Sequence, residues 1–125
     1  MKLHKVSALV LLLGSGLALG DDCAPPEAPA LPEGATSTME QMLEGQKAVK
    51  TFQAANLDYM KCLEPGIEAA KTDAEAAIEK GAGEDEAKAK YLAAQDAYNA
   101  AVSAEEEVAG KFNQAVRDYK AANPN

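Results

Sequence analysis

The sequence predicts an all-α fold. It is an antiparallel two-helix hairpin, coiled-coil-like, with an N-terminal proline-rich strap tied to it by one disulfide. Three observations carry this expectation. Apolar residues recur at heptad spacing along two long stretches. Lys80-Gly81-Ala82-Gly83 separates those stretches with a helix-stop signal. Two cysteines, Cys23 and Cys62, fall one before the first stretch and one within it.

The first element is residues 1–20, which read as a secretory signal peptide. Lys2, His4 and Lys5 make a short basic start, and Val6 to Leu13 is a compact apolar run. Ala18-Leu19-Gly20 then offers small residues where a signal peptidase reads. The competing reading is an uncleaved anchor, but a spanning helix needs roughly 20 apolar residues and Val6 to Gly20 falls short. A lipoprotein signal would place cysteine at the cleavage point, whereas two aspartates separate Gly20 from Cys23. Processing would give a periplasmic or secreted protein of residues 21–125, with no membrane span.

All 20 acidic residues follow Gly20, while Lys2 and Lys5 precede it. The mature charge is therefore 10 minus 20, or −10. Such a surface repels nucleic acid and anionic lipid. Its main consequence is solubility, and the protein partner it suits is a basic one. In an oxidising compartment two cysteines point to a disulfide. Redox motifs place their cysteines two residues apart, unlike Cys23 and Cys62. His4 is the only histidine, and a metal site needs more ligands than two distant cysteines. No metal or cofactor is expected.

Residues 21–37 form the strap. Pro25, Pro26, Pro29 and Pro32 exclude helix and favour polyproline II. Pro26, Pro29 and Pro32 recur every three residues, one turn, and so line one face. A P-x-x-P segment can also serve as an SH3-type ligand, but a strap packed on the domain is the preferred reading.

The first helix is expected over 38–80. Ser37-x-x-Glu40 and Thr38-x-x-Gln41 are both capping-box candidates. Met42, Val49, Asn56, Leu63, Ala70 and Ala77 share one heptad position, and Met39, Gln46, Gln53, Met60, Ile67 and Ala74 its partner position. The pattern runs through Pro65-Gly66, which predicts either a kinked continuation or a stop and restart in register, the former preferred. The second helix is expected over 84–122. Glu84, Asp85 and Glu86 suit its N-terminal dipole, and 12 of its 39 residues are alanine. Tyr91, Tyr98, Phe112 and Tyr119 fall on a seven-residue repeat whose fifth place is Glu105. Such an aromatic stripe can hold a ligand but is more often core.

A short glycine loop makes the helices antiparallel. Symmetry about Ala82 then sets Phe112 opposite Phe52, Tyr119 near Gly45 and Tyr98 near Gly66. Glu105 falls near Tyr59 and Met60, with Asn56 one turn away. Either Glu105 lies solvated at the seam's edge, or it accepts a hydrogen bond from Tyr59 or Asn56 and fixes the register. Glu105, Asn56 and Tyr59 are therefore the candidate register-fixing polar residues. The strap can reach Cys62. Fifteen steps of polyproline II span about 46 Å, against about 36 Å of helix from Thr38.

Three stretches, DCAPPEAPALPEGAT, QKAVKTFQAANLDYMKCLE and YNAAVSAEEEVAGKFNQAVRDYKAANP, resemble a family of small, uncharacterised exported helical proteins of proteobacteria. The resemblance implies a Gram-negative periplasmic setting. It carries no activity, so no functional residue transfers.

Catalytic patterns are not legible. After Gly20 the chain has Ser37 and Ser103 but no histidine base, and its cysteines are expected oxidised. Glu105, Glu106 and Glu107 are adjacent, so on a helix they point in different directions. There is no phosphate loop, calcium loop or basic aromatic patch. The expected function is a non-enzymatic periplasmic structural or protein-interaction module. A holdase-like chaperone is the alternative, an enzyme the weakest one, and a homodimer is an open assembly.

Overall fold

The computed structural model describes residues 23–125. The secretory-signal reading and the first two strap residues lie outside the described residues. Helix α1 is Met39–Lys80 and helix α2 is Glu84–Ala122. Of the two capping boxes in the sequence, Thr38–Gln41 is formed. Gln41 N–H donates to Thr38 Oγ1 at 3.2 Å, and Thr38 N–H donates to Gln41 Oε1 at 2.8 Å. The far end of α1 stops because Gly81 adopts φ 67°, where its N–H reaches the Ala77 and Ile78 carbonyls. Gly83, at φ 73°, turns the chain again into α2. Its first turn carries Glu84, Asp85 and Glu86 in place of a side-chain cap.

Helix α1 runs unbroken through Pro65, which resolves the choice between continuation and restart. Pro65 has no N–H to give the Lys61 carbonyl, so this helix carries one missing rung. Both Pro65 and Gly66 are exposed. The proline therefore lies on the outer side of the helix, away from the seam.

The two helices pack along one seam. Val49, Phe52 and Val108 form the central cluster, with Leu31, Ala104 and Phe112 against it. Met42, Met60, Leu63, Ala74, Ala77, Ala101 and Ala115 extend the buried row. On α2 that row is Ala101, Val108 and Ala115, the positions beside the aromatic stripe. Tyr91, Tyr98, Phe112 and Tyr119 are half-buried and flank the seam rather than fill it, contrary to the expectation that they form the core. The reason is steric. Small side chains at a helix contact let the axes approach, and large rings then move to the sides.

The register differs from the one symmetry about Ala82 sets. Asn56 bonds to Ala101, seven residues before the Val108 that symmetry places opposite it. Gly45 lies under Phe112, again seven residues before Tyr119. A slip of one heptad returns the same face to the seam, so periodicity alone does not choose between the two registers. The structure satisfies both pairs at once. Phe112 fills the space above a glycine, and its ring still reaches the Val49–Phe52–Val108 cluster.

The strap forms a third layer on one flank of the seam. Cys23 and Cys62 are disulfide-bonded, with Cα atoms 5.7 Å apart. From there the strap runs back along α1 toward Thr38. Leu31 packs on the central cluster, and Pro32 lies over Gly45. Gly34 is buried against the α2 backbone. A turn closed by Thr36 N–H to the Glu33 carbonyl, 3.2 Å, leads into α1.

Four glycines test this packing as a set. A methyl on Gly45 would lie 2.7 Å from Pro32 Cδ and 3.2 Å from Phe112 Cε2. A methyl on Gly34 would overlap the Ala115 carbonyl and lie 2.8 Å from the Tyr119 nitrogen. Neither Gly66 nor Gly110 has anything within 4 Å. Gly66→Ala and Gly110→Ala are each expected to raise unfolding free energy by about 1 kcal/mol. Gly45→Ala and Gly34→Ala are expected to lower it by about 1–3 kcal/mol through overpacking. Urea unfolding of the four variants checks the set, and a gain for either strap-facing glycine would contradict the packing. Pro65→Ala should restore the missing rung, raising stability by up to about 3 kcal/mol.

Candidate functional site

The polar group at the heart of the seam is Asn56. It lies in the first inward row of α1, and only 1% of it is exposed. Its Nδ2 donates to the Ala101 carbonyl oxygen at 2.9 Å. That carbonyl belongs to a residue within α2, so one side chain of α1 is tied to the backbone of its neighbour. A buried amide is tolerated only when bonded. Among the described residues no buried side-chain nitrogen or oxygen lacks a partner.

Asn56, a candidate register-fixing residue, thus bonds a backbone carbonyl of α2 and not the carboxylate considered from sequence. Glu105 is half-buried, as is Tyr59, and neither is joined to the other or to Asn56 by a hydrogen bond among the described residues. The displaced register explains this. It brings Ala101, one turn before Glu105, to Asn56.

Electrostatics leave the seam uncharged. Lys88–Glu84, Lys90–Glu86 and Lys111–Glu107 are i,i+4 pairs on the solvent side of α2, at 4.0, 3.3 and 2.7 Å. The Lys111 hydrogen bond, with its charge, holds the Glu107 carboxyl below the ordinary value. Pairs this exposed contribute little and weaken with salt. Among the described residues no group of three or more His, Cys, Asp or Glu is placed to hold a metal ion. No described helix is long and apolar enough to cross a membrane.

What remains are grooves along the seam. The strap covers one flank. On the other, at the open end of the hairpin, Met39, Met42, Leu43, Phe112, Val116 and Tyr119 line an apolar groove. Met39 is 58% exposed and Leu43 52%. Nearer the loop, Ile67 and Tyr98 floor a second groove rimmed by Glu64 and Glu68. Sequence reading missed the open-end groove because Leu43 sits outside both heptad rows. It also missed Leu31 as a core residue, although Leu31 is the one large aliphatic side chain of the strap.

Two measurements address the seam and its staple. Asn56→Ala removes a buried bonded amide and should lower stability by about 1–3 kcal/mol. Asn56→Leu should keep more of the stability yet broaden amide spectra through loss of register, and a sharp single spectrum would deny Asn56 that role. Reduction of Cys23–Cys62, which closes a loop of 39-residue separation, should lower unfolding free energy by about 4 kcal/mol in the chain-entropy treatment. An unchanged melting temperature on reduction would show that the strap is not held by the disulfide. No family model, curated protein or solved structure matches the chain.

Proposed function

We propose that the chain is a non-enzymatic, periplasmic structural or protein-interaction module, exported by the segment that precedes Asp21. The observation that carries this reading is the open-end groove. There Met39 and Leu43 stand exposed beside Val116 and Tyr119. Exposed apolar side chains grouped on a rigid element mark contact surfaces more often than scattered ones do. The acidic balance of the chain as a whole favours a basic protein partner and disfavours nucleic acid. A homodimer joined through the same groove is the other assembly consistent with it.

A holdase-like chaperone is the second reading. Leu57, Ile78 and Leu92, each about half exposed, extend apolar surface away from the groove on both helices. The two readings part on selectivity. A photoreactive residue at Leu43 should give one discrete cross-linked species in the envelope, lost in Met39→Glu. The same residue at Lys88, on the solvent face of α2, should give none. A smear of many species, together with suppressed aggregation of an unfolded outer-membrane protein, would favour the chaperone instead. No cross-link at Leu43 would remove the groove as a contact surface.

A further inference from the structure

The strap is the one part of the fold that meets the hairpin as a ligand meets a receptor. Leu31 enters the apolar centre between the helices, against Val49, Phe52 and Val108. Pro32 lies on a glycine of α1, and Gly34 presses on the α2 backbone at Ala115. This is a Leu-Pro-x-Gly segment in a groove whose floor is shaped by missing or small side chains. The only backbone hydrogen bond described for the strap is its own turn, Thr36 to Glu33. Contact with the hairpin is therefore made by packing and by the disulfide. That disulfide is reachable, because Cys62 is exposed on α1 while Cys23 is half-buried.

We propose that this flank is a peptide-binding groove occupied in cis, and that the Cys23–Cys62 disulfide latches its occupant. Released, the groove accepts an extended segment of a partner protein bearing the same Leu-Pro chemistry. The site differs from the open-end groove, whose lining holds no strap residue, although Phe112 borders both. Opening requires a dithiol protein. One of its thiolates attacks the sulfur of Cys62, an exposed residue of α1, forming a mixed disulfide, and the Cys23 thiolate leaves and takes up a proton. The second thiol of the reductant then displaces Cys62 in the same way. Two electrons and two protons pass to the cystine, and the reductant departs as a disulfide. Exposed disulfides are the labile and regulatory ones more often than buried ones are.

The strap remains tethered at Thr38 after reduction, and a short tether gives it an effective concentration on the order of millimolar. The test weakens the cis occupant for that reason. Full-length Leu31→Ser is compared in its oxidised and phosphine-reduced forms, with helicity checked by circular dichroism. The probe is a synthetic peptide of residues 24–36 in the wild-type sequence. The reduced variant should bind it at least about tenfold more tightly than the oxidised variant, with shifts at Val49, Val108 and Ala115. Oxidised wild-type should not bind. A peptide with aspartate at the Leu31 position should lose about tenfold or more. Equal binding in both redox states, or shifts confined to other surfaces, would overturn the proposal. If reduced Leu31→Ser loses its helicity, the milder Leu31→Ala takes its place with the same expectations.

Discussion

Everything in this fold depends on how closely two alanine-rich helices can approach. Ala101, Val108 and Ala115 give α2 a narrow inner row, and Gly45 gives α1 a gap where the helices meet Phe112. The large buried side chains, Met42, Phe52, Met60 and Leu63, all come from α1. A hairpin of this kind buries little apolar surface per residue, which is the usual weakness of small folds. The structure answers with a third layer. Leu31 adds an aliphatic side chain from the strap to the Val49–Phe52–Val108 cluster, and the disulfide reduces the freedom of the unfolded chain that would otherwise favour its loss. The same close approach explains the displaced aromatic rings. Tyr98, Phe112 and Tyr119 cannot lie between axes set by alanine, so they form the walls of the grooves.

Close approach also bears on which register the two helices take. Heptad seams tolerate slips of seven residues, because each slip restores an apolar face. Asn56 does not tolerate them equally. Its amide needs an acceptor in a dry environment, and a helix carbonyl is within reach only where the facing side chain is small. Ala101 meets that condition at 2.9 Å. At the symmetric position the facing residue is Val108, whose branched side chain would stand between the amide and the backbone. The observed register thus meets a polar requirement and a steric one together.

Much of this was legible in the sequence, for identifiable reasons. The helix ends followed from local chemistry. Thr38 with Gln41 is a closed capping box, and Gly81 takes the left-handed conformation that its position after Lys80 implies. The Cys23–Cys62 pairing followed from the even count and the oxidising compartment expected from the sequence. Continuity through Pro65 followed from a heptad that does not change phase there. The register was not legible, because it depends on which carbonyl Asn56 can reach, a relation between residues 45 apart. Nor was the role of Gly34, whose close contact with the α2 backbone leaves no local trace. Glu105 drew notice by interrupting the aromatic repeat. That repeat flanks the seam, so a half-buried carboxylate is accommodated there without a buried partner.

The third layer is the central claim, and inter-residue distances in solution test it most directly. Nuclear Overhauser effects in the oxidised, full-length protein should connect the Leu31 methyls to Val49 and Val108. They should also connect the Pro32 ring to the Gly45 α-protons. Leu31 methyls that show effects only to their sequence neighbours, with Val108 and Phe112 in contact across an uncovered seam, would contradict it.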